Sequence, residues 1–93
     1  MDRIEDADIL ARSAELLGLP VDVVAGLPNI EMLGNRQLFL SNHRGISSYS
    51  SEEIDVNCGA LYLRVLGRGL DLISMTSDEL RIGGIITSIA LEA

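Results

Sequence analysis

From Leu38 onward, apolar residues recur at every second position in one short segment after another. The first segment places Leu38 and Leu40 on either side of Phe39. The same spacing returns at 54–56, 61–65, 70–72, 80–82 and 85–91. Period two is the side-chain repeat of a β-strand, because successive side chains point to opposite faces. The pattern therefore predicts that most of this chain is a β-sheet with one buried face.

Glycines separate these segments. They occur in Gly34-Asn35, Arg44-Gly45, Cys58-Gly59, Gly67-Arg68-Gly69 and Gly83-Gly84. Such positions are turn or bulge signals, since glycine adopts positive φ angles that other residues resist. Connections this short favour antiparallel neighbours over parallel ones.

A faint internal repeat relates residues 38–46 to 61–70, and residues 51–56 to 77–82. The predicted fold is therefore mainly β, an antiparallel meander or small sandwich built from a repeated strand unit. A short β-solenoid is the alternative. Arg44-Gly45 and Arg68-Gly69 occupy equivalent places in the two units, which favours turn chemistry at both.

The N-terminal part has a helical pattern instead. Between Asp6 and Leu17 the apolar residues fall on one helical face, and Gly18 and Pro20 follow as stop signals. We predict a helical segment over 1–28 and a β domain over 29–93, as a single folding unit.

Both faces of the predicted strands carry apolar residues. The predicted core comprises Leu38, Leu40, Leu61, Leu63, Val65, Leu70 and Leu72. The opposite face carries Phe39, Tyr62, Leu66, Ile73 and Met75, which we predict to be an interface. The helix, about 18 Å long, is shorter than six or seven strands spaced about 4.8 Å apart. We therefore expect a second copy or another protein to cover part of this face.

Charge narrows the classes of partner. The chain has fourteen acidic residues, seven arginines and no lysine, so its net charge is −7. Nucleic-acid backbones and anionic membrane surfaces would both repel such a chain. No apolar run approaches the roughly 20 residues that span a bilayer, and the acidic start is unlike a signal peptide. We expect a cytoplasmic protein without direct membrane insertion.

Few residues point to chemistry. His43 lies near serines that belong to no nucleophile motif, and Cys58 has no second cysteine. One cysteine and one histidine with irregularly spaced acids do not form a metal-ligand pattern. The glycines are not followed by the Lys-Ser/Thr pair of a phosphate-binding loop. The sequence predicts no enzyme, no cofactor and no metal, with Cys58 buried.

Residues 27–56, "LPNIEMLGNRQLFLSNHRGISSYSSEEIDV", resemble the YabP/YqfC family of sporulation proteins, in particular its YqfC branch. The features are Leu27-Pro28, Gly34-Asn35, the run from Asn42 to Ile46 and the acidic turn after it. The later "GALYLRVLGRGLDLISMTSDELRIGGIITSI" is also similar to that family. The chain departs from the pattern at Ser41, where an acidic residue is common, and in having no lysine.

The resemblance implies a non-enzymatic protein that acts in the mother cell during endospore formation. It also implies a membrane-anchored, YqfD-like sporulation protein as partner, with the chain held peripherally at a membrane. It leaves open whether Asn42, His43, Arg44 and Gly45 form a structural turn or a contact site. Arg44 is expected to fix such a turn by hydrogen bonds. As an alternative function, this turn binds a small anion or ligand through Arg44 and backbone amides.

Overall fold

The computed structural model describes residues 26–93, which form one six-stranded antiparallel sheet without a helix. The strands are β1 (Asn29–Leu33), β2 (Gln37–Ser41), β3 (Ile46–Tyr49), β4 (Glu53–Asn57), β5 (Tyr62–Met75) and β6 (Glu79–Glu92). Their order in the sheet is β1-β2-β6-β5-β4-β3. The predicted N-terminal helix lies outside the described residues.

The hairpin of β5 and β6 is the longest element, with 14 residues in each strand. It belongs to two different parts of the sheet. Residues 62–66 of β5 pair with β4, while residues 79–83 of β6 pair with β2. We call the first part the β4 half: β3, β4, 62–66 and 85–92. The second part is the β2 half: β1, β2, 71–75 and 79–83.

Glycines sit where the two halves meet. The β5–β6 register shifts between Leu66 and Gly67 and again between Arg68 and Asp71. A Cβ on Gly67 would overlap the carbonyl oxygen of Ile85. A Cβ on Gly84, whose φ is 127°, would lie 2.6 Å from the carbonyl oxygen of Gly69. The chain therefore bulges and bends here only because side chains are missing.

Turns from elsewhere satisfy backbone amides at this bend. Gly67 and Leu70 donate to the carbonyls of Glu52 and Ser51 in the β3–β4 turn, at 3.0 and 2.8 Å. Gly84 and Ile86 donate to Arg36 and Asn35 of the β1–β2 turn, at 3.1 and 2.8 Å. Amides that lose strand partners at the bulges are thus bonded to loops.

The two halves share one core. A single cluster joins Ile54, Val56, Leu63 and Val65 of the β4 half to Leu38, Leu40, Leu80 and Ile82 of the β2 half, with Cys58, Leu70 and Ile86. Of the predicted core, Leu38, Leu40, Leu63, Val65 and Leu70 are buried, and Leu61 and Leu72 pack against the cluster partly buried.

The antiparallel β prediction is confirmed: the described residues form one open antiparallel sheet, whose buried apolar residues make a single cluster. The solenoid alternative is wrong, because every pairing is antiparallel within one sheet. The sequence repeat is not kept as a repeated strand unit. Residues 38–46 span two strands joined by a corner, whereas 61–70 enter β5 and run along it, where Arg68-Gly69 is a bulge.

We predict that Gly67→Ala lowers the free energy of unfolding by more than about 2 kcal/mol, because the new methyl group overlaps backbone that cannot move freely. Gly34→Asn is the matched control. Gly34 has a φ of 53° with open space around it, and asparagine tolerates that conformation. Urea unfolding should show a change within about 0.5 kcal/mol for the control. Equal effects of the two substitutions would contradict this account of the bend.

Candidate functional site

Residues 42–45, the His43 corner, carry the chain from β2 into β3. Asn42 has a φ of 66° and redirects the backbone. The amides of Asn42 and His43 both donate to the carbonyl of Asp78, at 2.7 and 3.3 Å, and the amide of Arg44 donates to Asn57 at 2.6 Å. The corner therefore ties the β5–β6 turn to the end of β4, and so ties one half of the sheet to the other.

The imidazole of His43 is buried, with 4% exposed. Its Nδ1 accepts a hydrogen bond from the amide of Gly45 at 3.0 Å, and its Nε2 lies 2.9 Å from the carbonyl oxygen of Thr76. Because Nδ1 accepts, Nε2 must carry the proton in order to donate to a carbonyl. Both ring nitrogens are thus bonded to backbone, and the ring has no nitrogen left to act as a base.

The same geometry leaves little for an anion at this corner. The amides of Asn42, His43, Arg44 and Gly45 all donate to protein acceptors. The side chain of Arg44 lies beside Gly59 and is exposed. Its guanidinium makes no hydrogen bond or ion pair with residues 26–93. His43, and not Arg44, fixes the corner.

We predict that His43→Ala lowers the free energy of unfolding by about 2–4 kcal/mol, since it leaves a cavity and two unsatisfied backbone groups. Arg44→Ala, one position away, should change it by less than about 0.5 kcal/mol. Denaturant titration of both variants checks this order. A larger loss in Arg44→Ala would restore the sequence-based expectation that arginine holds the turn.

Cys58 is buried with 2% exposed, as the sequence predicted. Burial raises the pKa of its thiol, which leaves less of the reactive thiolate at neutral pH. Within residues 26–93 no three histidine, cysteine or acidic side chains are grouped so as to hold a metal ion.

The five residues predicted as an interface lie in different places. Tyr62 and Leu66 share the outer face of the β4 half, whereas Phe39 lies on the outer face of the β2 half, 4.4 Å below the guanidinium of Arg81. Ile73 sits at a bulge, with its side chain next to Gly83. Met75 pairs with Leu80 and so lies on the core side, at its exposed margin. The bulge between Leu72 and Ser74 causes this last difference by shifting the alternation by one residue.

An ion-pair network occupies the outer face of the β4 half, beside Tyr62. Arg64 Nε lies 3.1 Å from Asp55 Oδ1 and 3.4 Å from Glu53 Oε2, and its Nη1 lies 3.2 Å from Glu92 Oε1. Ser48 donates to Asp55 at 3.0 Å. The sequence could not show this network, because its members meet only through the register of β3, β4, β5 and β6.

The pKa values of Asp55 and Glu53, two neighbouring acids of this network, are shifted in opposite directions. Burial pushes the pKa of Asp55 upward, but hydrogen bonds from Ser48, Glu53 and Arg64 outweigh it and hold that pKa below its ordinary 3.8. The hydrogen bond to Asp55 raises the pKa of Glu53 above its ordinary 4.5, helped by burial and by the charge of Asp55. Asp55 is therefore the stabilising carboxylate of the pair.

We predict that Asp55→Asn lowers the melting temperature at pH 7, whereas Glu53→Gln leaves it unchanged or raises it. Stabilisation by Asp55 is complete above its ordinary pKa of 3.8 and is lost as pH falls through the lower folded value. The contribution of Glu53 to stability has the opposite sign, because its pKa is raised in the folded state and its ionisation therefore opposes folding. Calorimetry between pH 3 and 7 separates the two, and a destabilised Glu53→Gln at pH 7 would contradict the assignment.

A shallow, open depression of about 420 Å³ lies at the bend, bordered by Arg36, Arg68, Ile73 and Gly83. Arg36 and Arg68 are exposed, and neither forms an ion pair within residues 26–93. The bulges bring together two arginines that are far apart in the sequence. In the described part of the chain, no helix is long and apolar enough to span a bilayer.

The sequence of this chain is similar to those of known proteins. The sequence model of the YabP family matches residues 26–93, which is the whole described region. Over 70 residues the chain is 27% identical to a protein of Bacillus subtilis (strain 168) described as "Uncharacterized protein YqfC", and the match covers 75% of each chain.

Proposed function

We propose that this chain, which belongs to the YabP family, is a sporulation protein that acts by binding other proteins and catalyses no reaction. Family membership, which the resemblance of residues 27–56 predicted, supports the link to endospore formation. The molecular role rests on what the side chains of the sheet are used for.

The residues best suited to catalysis, His43 and Cys58, have structural roles in this fold. Both nitrogens of His43 are bonded to backbone, and the thiol of Cys58 is buried with a raised pKa. The backbone amides of the His43 corner have acceptors already, so the alternative of an anion-binding turn gains no support. These observations favour an assembly role over a catalytic or anion-sensing one.

The observation that carries the proposal is the outer face of the β4 half. Tyr62 is 47% exposed on this face, and Leu66 on the same face is half-buried. Arg64, with its acidic partners, lies between these two residues. A large exposed aromatic side chain beside an arginine is typical of protein interfaces. We assign this face to the protein partner.

The partner implied by the family resemblance is a membrane-anchored, YqfD-like sporulation protein. Binding it would hold the chain at a membrane of the mother cell without inserting the chain into the bilayer. The acidic surface suits this role, because an anionic bilayer repels a chain of net charge −7, so attachment depends on the partner.

We predict that Tyr62→Asp abolishes co-purification with a YqfD-like protein from sporulating cells and lowers spore yield, while the chain stays folded with only a small loss of stability from the charge of Glu92 opposite. Ser74→Asp is the matched control, because Ser74 is exposed on the outer face of the β2 half. Retained binding in Tyr62→Asp, or equal loss in Ser74→Asp, would remove the assignment of this face.

A further inference from the structure

Among residues 26–93, the last six residues of β6, 87–92, have a strand neighbour on one side only. Residues 88–92 pair with residues 62–66 of β5, while β2 pairs with β6 no further than Gly83. The β1–β2 turn bonds Gly84 and Ile86 and stops there. Beyond that point no strand among the described residues lies against this edge. Alternate backbone N–H and C=O groups of the edge therefore point outward without a strand partner.

Beyond the bulge at Thr87, where the β5–β6 register shifts, this edge lacks, as far as Leu91, two features that prevent strand addition, charged residues and proline. Residues 85–91, "IITSIAL", contain no charge and no proline and are rich in β-branched residues. The β1 edge differs, since it carries Glu31 at its centre. At the β3 edge the pairing with β4 is irregular between Ile46 and Ser48, in the middle of a strand of only four residues.

Two rows of cross-strand side chains that begin in the core also end at this edge, where they are exposed to solvent. Ile89 pairs with the fully buried Val65, and Leu91 pairs with the fully buried Leu63. Yet Ile89 is 36% and Leu91 is 59% exposed. A further strand placed here would continue both rows and cover these side chains.

We propose that a second copy of this chain supplies that strand, with the two β6 edges pairing antiparallel about a twofold axis near Ile89. Such pairing is self-complementary, because the same uncharged residues face each other in both copies. The two Glu92 residues then lie six positions apart along the strands, about 20 Å at 3.4 Å per residue. Their repulsion is screened over that distance at physiological salt.

Charge favours the same arrangement. Arg36 stands where the open edge begins, and Glu92 stands at its other end. Antiparallel pairing brings Glu92 of the second copy toward Arg36 and the neighbouring Arg68. Glu92, which also lies 3.2 Å from Arg64 of its own chain, would then approach two exposed arginines that have no ion pair within residues 26–93.

This dimer contact would be one of the protein contacts of the assembly role proposed above. Only its biological meaning rests on that proposed role. It uses the edge of the sheet, whereas the proposed partner face is the outer surface around Tyr62. Self-association of the purified chain therefore tests it without a sporulation partner, and either proposal can fail alone.

Sedimentation velocity of the full chain over a range of concentrations tests the proposal. We expect a monomer–dimer equilibrium in the parent and a weakening of roughly tenfold or more in Leu91→Lys, since an edge lysine opposes strand addition. Leu33→Lys is the matched control, because Leu33 is 63% exposed on the β1 edge, and it should still dimerise. A monomeric parent, or loss of the dimer only in Leu33→Lys, would overturn the proposal.

A second pair of variants keeps the test valid if Leu91→Lys fails to fold. Arg36→Glu should weaken the dimer by roughly tenfold at low salt, with less effect at high salt. Arg44→Glu reverses another exposed arginine, which lies away from this edge and has no ion pair within residues 26–93, and it should leave dimerisation unchanged. Equal behaviour of these two variants would show that Arg36 does not face the second copy and would refute the register.

Discussion

The close crossing of β5 and β6 at their glycines is the contact on which the rest of this structure depends. A straight hairpin of 14-residue strands would hold the β4 half and the β2 half in one flat layer with an uncovered apolar face. Because Gly67 passes against Ile85, and Gly84 against Gly69, the two strands bulge at the junction of the two halves. The buried apolar residues of the two halves form one cluster across this junction.

Bending a sheet interrupts its ladder of hydrogen bonds, and the fold replaces those bonds with loops. The β3–β4 and β1–β2 turns accept from amides at the bulges, and the His43 corner joins Asp78 to Asn57 across the sheet. His43 has the same structural use, since its ring bridges Gly45 and the carbonyl of Thr76. The one histidine of the chain is thereby part of the scaffold.

The alternation from Leu38 onward predicted β2, β4 and parts of β5 and β6, because side-chain period is a local property of a strand, but it did not predict β1 or β3. The predicted core also omitted buried residues on the same strands, such as Ile54, Val56 and Ile82. The glycines predicted breaks, but not which were turns. Arg44-Gly45 and Arg68-Gly69 share local chemistry, and only pairing across the sheet makes one a corner and the other a bulge. Long-range register also decides that Arg64 meets Asp55 and that Met75 lies on the core side. The partner of His43, 33 residues away, could not be deduced from local sequence.

Edge and face are separate surfaces of this sheet, so the two proposed contacts are compatible. A twofold axis that pairs two β6 edges antiparallel stands perpendicular to the sheet and leaves equivalent faces on the same side. Both Tyr62 residues of such a dimer would therefore point the same way, toward one membrane. Two weak contacts presented together bind with a higher effective affinity than either alone. The proposed membrane-anchored partner would then be bound through two sites at once, which offsets the repulsion between an anionic bilayer and a chain of net charge −7.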